Sequence, residues 1–240
     1  MTVDEEMAPP LHGYRGDEPD DSDVQPRGLT VALSREAGAR GTTIAHKLGE
    51  LLGWQVFDQE MIDYLIMNEA GRNQIAAELS EGGRAWVEAR FRKLVGERGL
   101  KMEAETESLI RLVLTVAARG DAVIVGRGAG FLLPTVTTLH VRIVAPFESR
   151  VNYLAQALRQ TREEAAEEVR TRDDRRARYL TRSLLCNPSD ATVYDLIVNS
   201  GRVGVEAAAQ FIGWAVRTKQ QFVDLVGPPA TMGIHDLAGS

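Results

Sequence analysis

The stretch LTVALSREAGARGTTIAHKLGELLG, residues 29 to 53, decides the architecture. LTVAL is a short apolar run and reads as a buried strand. In TTIAHKLGELLG, residues Ile44, Leu48, Leu51 and Leu52 fall near one face of a helix, and Gly53 stands where a C-cap glycine belongs. Between the two lies SREAGARGTT, a glycine-bearing turn. A strand that runs through such a turn into a helix aims backbone N–H groups and the positive end of the helix dipole at one spot, which favours an anion.

Working outward, the same alternation recurs. WQVF, DAVIVG, LHVRIV and YDLIVN read as strands, the middle two most clearly, as β-branched runs bounded by turn or charged residues. QEMIDYLIMNEA reads as a helix, and residues 84 to 119 as two helices split near Gly96 to Gly99. FESRVNYLAQALRQ, EEAAEEVRTRDDRRARYL and GVEAAAQFIGWAVRTK are helical as well. Strands alternating with helices imply an α/β fold with a parallel sheet and helices on both faces. There is no internal repeat. Residues 1–27 are dominated by Asp, Glu, Pro and Gly and read as a disordered acidic tail. Residues 223–240 read as a flexible C-terminal tail, leaving residues 28–222 as one folded domain.

With 240 residues, 44% hydrophobic and 26% charged, the chain can build one α/β core. A net charge of −6 argues against a surface built to hold nucleic acid, which needs a cationic face. The single cysteine, Cys186, allows no internal disulfide, which suits a reducing compartment. No apolar run approaches the roughly 20 residues that span a bilayer, and no signal-peptide pattern opens the chain. A soluble cytoplasmic protein is the expectation, with no membrane or nucleic-acid partner. The four histidines, His12, His46, His140 and His235, have no metal-ligand spacing.

The turn departs from the phosphate-binding P-loop pattern GxxxxGK[ST]. Aligned on the helix, Gly41 takes the place of the lysine, and Thr42 the place of the Mg²⁺-binding hydroxyl. Arg35 and Arg40 carry charge that could substitute, although a guanidinium does not simply occupy a point-charge lysine site. Locally, a plain strand-to-helix turn capped by a threonine accounts for GARGTT as well as a nucleotide site does.

Three further segments resolve the balance by their order. DAVIVGRGAGFLLP is similar to the strand and GR loop of cytidylate kinases, and LHVRIVAPFESRVNYL resembles their following strand and helix. RTRDDRRARYL followed by YDLIVNSGRVGVEAAAQFI resembles their arginine-rich lid and closing strand and helix. SREAGARG itself is similar to the SREYGSGG type of the divergent cytidylate kinase-like proteins, a group that lacks the loop lysine. The resemblance covers about residues 28 to 220. It implies a three-layer P-loop kinase fold with a helical arginine-rich lid, and phosphoryl transfer from ATP with Mg²⁺ to a nucleoside monophosphate, CMP or dCMP. Gly128, where cytidylate kinases proper carry Asp, leaves the base of the acceptor open.

On this resemblance the ATP cradle comprises Arg35, Gly38, Ala39, Arg40, Gly41, Thr42 and Thr43, with Thr42 on the metal. Arg127, Arg176 and Asp173 are the expected catalytic residues, the last two matching the DxxR of the lid. Asp58, Arg127, Arg172 and Arg176 are the expected substrate contacts. Each has a structural alternative: Arg127 a turn arginine, Asp58 a helix cap, and the six arginines from Arg170 to Arg182 a salt-bridged exposed helix. Arg150 and Arg202 match family arginines but read as packing or pairing residues. Two other functions remain open: a nucleotide-binding protein without activity, and a small-molecule kinase with another acceptor.

Overall fold

The computed structural model describes residues 28–98 and 103–226. In chain order the elements are β1 (Thr30–Arg35), α1 (Gly41–Leu52), β2 (Gln55–Phe57), α2 (Gln59–Met67), α3 (Glu69–Ala77), α4 (Glu81–Arg98) and α5 (Ala104–Arg119). Then come β3 (Ala122–Val125), α6 (Ala129–Leu132), β4 (Thr138–Val144), α7 (Phe147–Leu158), α8 (Arg162–Ser183), β5 (Leu196–Asn199) and α9 (Ser200–Val226). The five strands form one parallel sheet in the order β2-β3-β1-β4-β5.

The apolar residues of the strands are the reason the sheet is central. Val31 and Leu33 of β1, Val123 and Val125 of β3 and Val141 and Ile143 of β4 pack on one face against Ile44 and Leu48 of α1 and Ala208, Ala209 and Ile212 of α9. The alternate residues, Ala32 and Ile124, face α2, α4 and α5 through Ile62, Leu94, Ile110 and Leu114. A parallel sheet covered on both faces reads as continuous apolar runs, and each fully buried Leu or Ile contributes about 1.5–3 kcal/mol relative to exposure. A third cluster, Ala37, Val151, Leu154, Ala165 and Val169, joins the helical hairpin of α7 and α8 to the turn after β1.

This is the three-layer α/β fold anticipated from the alternation, with some different element ends. The QEMIDYLIMNEA segment is two helices. Asn68 breaks it with extended backbone (φ −108, ψ 96) and caps α3 by accepting the Gly71 N–H, a local bond that competes with helix continuation. Gly96 lies inside α4, and residues 99–102 are outside the described residues. The last helix starts at Ser200 and is kinked at Gly204, whose φ of 81 only glycine adopts readily. It runs to Val226, so the C-terminal tail expected from residue 223 begins no earlier than 227; residues 1–27 and 227–240 are outside the described residues. Among the described residues no helix is long and apolar enough to cross a membrane.

β1 is the switch point, with β3 on one side and β4 on the other, and open α/β sheets bind ligands at the carboxyl ends of such strands. Beside that edge sits a buried histidine. His140, on β4 and 5% exposed, packs against Phe131 and Tyr194 and fills the space a side chain at Gly130 would need. Its Nδ1 lies 2.8 Å from the Val193 carbonyl, which only accepts, so Nδ1 carries the proton and Nε2 accepts from Ser34 Oγ at 3.2 Å.

Burial lowers the His140 pKa to about 4, outweighing the Val193 carbonyl and Asp195. Between that value and the ordinary 6.5 the unfolded chain binds a proton that the folded chain refuses. Stability is therefore expected to fall as pH drops from about 6.5 to about 4, by roughly 3 kcal/mol from this residue. Denaturant unfolding across that range checks it, with His140→Gln expected to show a shallower dependence whatever its absolute stability.

Candidate functional site

The turn between β1 and α1 is held in a shape that leaves the start of α1 open. Ala39 N–H bonds back to Glu36 O at 3.3 Å, and Arg40, in left-handed backbone (φ 57, ψ 27), is the N-cap residue without a side-chain cap bond. No acidic side chain stands in the first turn of α1. The amides of Gly41, Thr42 and Thr43 thus have no partner within the helix and lie at its positive end. The Thr42 and Thr43 side chains are exposed.

Gly41 is buried, and the reason is Arg35. A Cβ at residue 41 would stand 2.6 Å from Arg35 Cβ and 2.9 Å from its Cγ, so the stem of Arg35 fills the space a lysine would need. The Arg35 guanidinium continues to Gly126 and overlaps the space a side chain there would fill. One arginine from the strand end therefore spans the gap between two glycines.

Two more guanidiniums converge on it. Arg176 of α8 reaches the Arg35 carbonyl at 3.5 Å, and Arg127 follows Gly126 in positive-φ backbone (φ 54). Burial first, then the charges of Arg176 and Arg127, push the Arg35 pKa down to about 10, with Asp58 opposing. A cation made less basic partly by its own neighbours marks a place that favours an anion. Arg127 pairs through one terminal nitrogen with Asp63 of α2. Its Nε is buried without a hydrogen-bond partner, as is Tyr179 Oη, an arrangement that costs about 1–3 kcal/mol per group. Arg35, Arg127, Arg176 and Tyr179 border a cavity of about 240 Å³ that is also lined by Ser34 and Gly126, among others. Gly128 is the seat of α8: Leu184 occupies the place of a side chain there, and Leu180 Cδ2 is 3.2 Å from it.

Asp173 is committed within the chain. One carboxylate oxygen accepts the Ala37 N–H at 2.7 Å and the other accepts from Arg150 Nη1 at 2.5 Å, with Arg176 at 3.7 Å. Arg150, 9% exposed, also donates to Ala37 O (3.2 Å) and Ala145 O (3.1 Å) and pairs with Glu36 at 3.4 Å. Asp173 and Arg150 thereby tie the turn after β1 to α8. Asp58 and Arg172 do not line this cavity, although the Asp58 charge acts on Arg35. Asp58 caps α2, accepting the Met61 N–H at 3.0 Å, and its second oxygen lies 3.0 Å from His46 Nε2. Arg172 pairs with Glu168 one turn back at 2.5 Å.

Arg40 is exposed and lies 5.8 Å from the centre of the Tyr153 ring. It borders a second cavity of about 550 Å³ on the outer side of the turn, with Gly38, Asn152, Tyr153, Gln156 and Arg202. Asn152, Tyr153, Gln156 and Asp63 carry no motif, and only their placement on α7 and α2 brings them here. Tyr179 did leave a trace, lying three residues beyond Arg176 on the same helix face. Among the described residues no group of three or more His, Cys, Asp or Glu could hold a metal ion.

Residues 30–202 match the model of the cytidylate kinase-like family. A cytidylate kinase of Ignicoccus hospitalis is 28% identical over 156 residues, covering 60% of this chain and 91% of its own. A cytidylate kinase of Methanothrix thermoacetophila is 30% identical over 146 residues, covering 55% and 84%. The crystal structure of an uncharacterised protein from Eubacterium ventriosum superposes with a TM-score of 0.56 at 18% identity, covering 80% of this chain and 99% of that one, a likeness of fold.

Restoring a lysine at Gly41 is expected to destabilise the fold by about 1–3 kcal/mol, because the obstructing atoms are the near end of Arg35 and not its flexible tip. On an Arg35→Gly background Gly41→Lys is expected to cost measurably less. A double-mutant cycle in denaturant unfolding reads that coupling.

Proposed function

The chain belongs to the cytidylate kinase-like family, and from that premise we propose that it transfers the γ-phosphoryl group of ATP, with Mg²⁺, to a nucleoside monophosphate. The names of its relatives favour CMP or dCMP as acceptor. One observation carries the reading: Arg35, Arg127 and Arg176 converge on one cavity beside the open start of α1.

The acceptor's nucleophile is a phosphate oxygen already deprotonated at neutral pH, so the reaction needs alignment and charge neutralisation and no general base. In this reading the first-turn amides of α1 and the Arg35 guanidinium take the donor phosphates. The donor nucleoside lies in the larger cavity, beside Arg40, Tyr153 and the amides of Asn152 and Gln156. Arg127 holds the acceptor phosphate, and Arg176 bridges the transferring group. Asp173, through Ala37 and Arg150, keeps the loop and α8 in register and so acts as a positioning residue. Asp58 and Arg172 are engaged elsewhere and take no part.

Mg²⁺ bound between phosphates needs few protein ligands, since phosphate and water oxygens complete its shell. The exposed Thr42 hydroxyl in the first turn of α1 fits that role. When bound, the ion neutralises charge on the donor's terminal phosphates. Nucleotide substrates, together with a lone cysteine that can form no internal disulfide, support a cytoplasmic location.

Gly41 favours a second reading, nucleotide binding without turnover, and the Leu184 contact at Gly128 favours a different acceptor wall. Assay of the purified chain with ATP and Mg²⁺ against CMP, dCMP, UMP, AMP and GMP separates them. Transfer to CMP or dCMP is expected, with kcat/KM falling about 100-fold or more in Arg35→Ala, Arg127→Ala and Arg176→Ala. ATP binding by calorimetry with no transfer to any of them would reject the kinase.

A further inference from the structure

Buried polar groups in native proteins almost always have partners, so unpartnered ones that border a cavity point to what fills it. Arg127 Nε and Tyr179 Oη are two such groups, and both residues line the same cavity. A third buried atom without a partner, Asn199 Oδ1, does not line it.

The position of Tyr179 is set by the docking of its helix. One turn before it Arg176 faces Arg35, and two turns before it Asp173 is bonded to Ala37 N–H. One residue after it Leu180, and further on Leu184, pack on Gly128. Held from both sides, the phenol is delivered to the GR loop with little freedom to turn away. Burial raises its pKa, more than the nearby Arg127 charge lowers it, so the hydroxyl keeps its proton and serves as a donor. The cavity therefore presents a guanidinium N–H and a phenolic O–H together with the charges of Arg35 and Arg176. That set suits a group with several acceptor oxygens and net negative charge.

We propose that Tyr179 is a phosphate-binding residue, its hydroxyl donating to the same phosphoryl group that Arg127 Nε holds. The assignment deepens the phosphoryl-transfer reading and rests on it for the identity of the anion. Tyr179 senses the acceptor phosphate, not the base or sugar. Its hydroxyl has no partner until that phosphate arrives, so the free protein gains nothing from it.

Tyr179→Phe removes the hydroxyl alone. In the ligand-free protein its Tm is expected to stay level or to rise by about 2–4 °C, because a buried unpartnered group is lost. Calorimetry is expected to show affinity for CMP and for inorganic phosphate about tenfold weaker, with cytidine binding unchanged. Unchanged affinity for CMP, an equal loss for cytidine, a fall in Tm, or a wild-type chain that binds neither CMP nor inorganic phosphate would each overturn the proposal. Binding needs no turnover, so a chain that binds CMP through Tyr179 without phosphorylating it would reject the kinase and leave this assignment standing.

Discussion

The side chain of Arg35 organises the site. It leaves the end of β1, fills the space above Gly41 with its stem and lays its guanidinium across Gly126. Both glycines are required by that path, and neither could carry a side chain without displacing it. A P-loop puts its cation on the helix after the turn; here the strand before the turn supplies one. The consequence is geometric: a cation rooted on the strand lies between the β1 turn and the GR loop, at the switch point of the sheet.

Two further groups on the cavity, Arg176 and Tyr179, are placed by α8. That helix carries many arginines and few apolar residues, and alone it would be a solvated surface element. Its attachment comes from a few contacts: Ala165 and Val169 against α7 and Ala37, Asp173 on the Ala37 amide and Arg150, and Leu180 and Leu184 on Gly128. Those contacts bring Arg176 and Tyr179 to Arg35 and Arg127. Convergence of like charges in a half-buried space is unfavourable, as the lowered Arg35 pKa records. The fold supplies partial compensation within the chain, with Asp63 on Arg127 and Asp173 beside Arg176. An anion arriving in the cavity meets charge that the protein has already gathered and desolvated, so little reorganisation is left to the moment of binding.

Much of the architecture was legible because the strands are short apolar runs and the helices have one apolar face. The misread boundaries lie where local chemistry competes with periodicity. Asn68 turned one helical pattern into two by capping the second, whereas the expected division of residues 84 to 119 into two helices holds, with α4 ending at Arg98 and α5 starting at Ala104. Gly204, where the last helix was expected to begin, is a kink inside α9, which starts at Ser200. At the site, Arg127, Asp173 and Arg176 were marked by their motifs and Arg150 read as a pairing residue, but that Asp173 is the partner of Arg150 beneath the β1 turn is seen only in the structure.

The sequence by itself determined the parallel α/β sheet, the anion-favouring strand–turn–helix, the absence of the loop lysine and the arginine supply, since each is a property of residue type at a local spacing. Only the tertiary structure decided which arginine fills the lysine's space, that Arg40 turns outward while Arg35 turns in, that Asp58 and Arg172 are taken by other partners, and that Tyr179 ends beside Arg127. The physical reason is the range of the interactions. Periodicity and capping act over a few residues of chain, but the contact of Arg35 with Gly126, of Asp173 with Ala37 and of Leu184 with Gly128 join segments far apart in sequence, and their energies depend on distances that exist only after the sheet and its helices have packed.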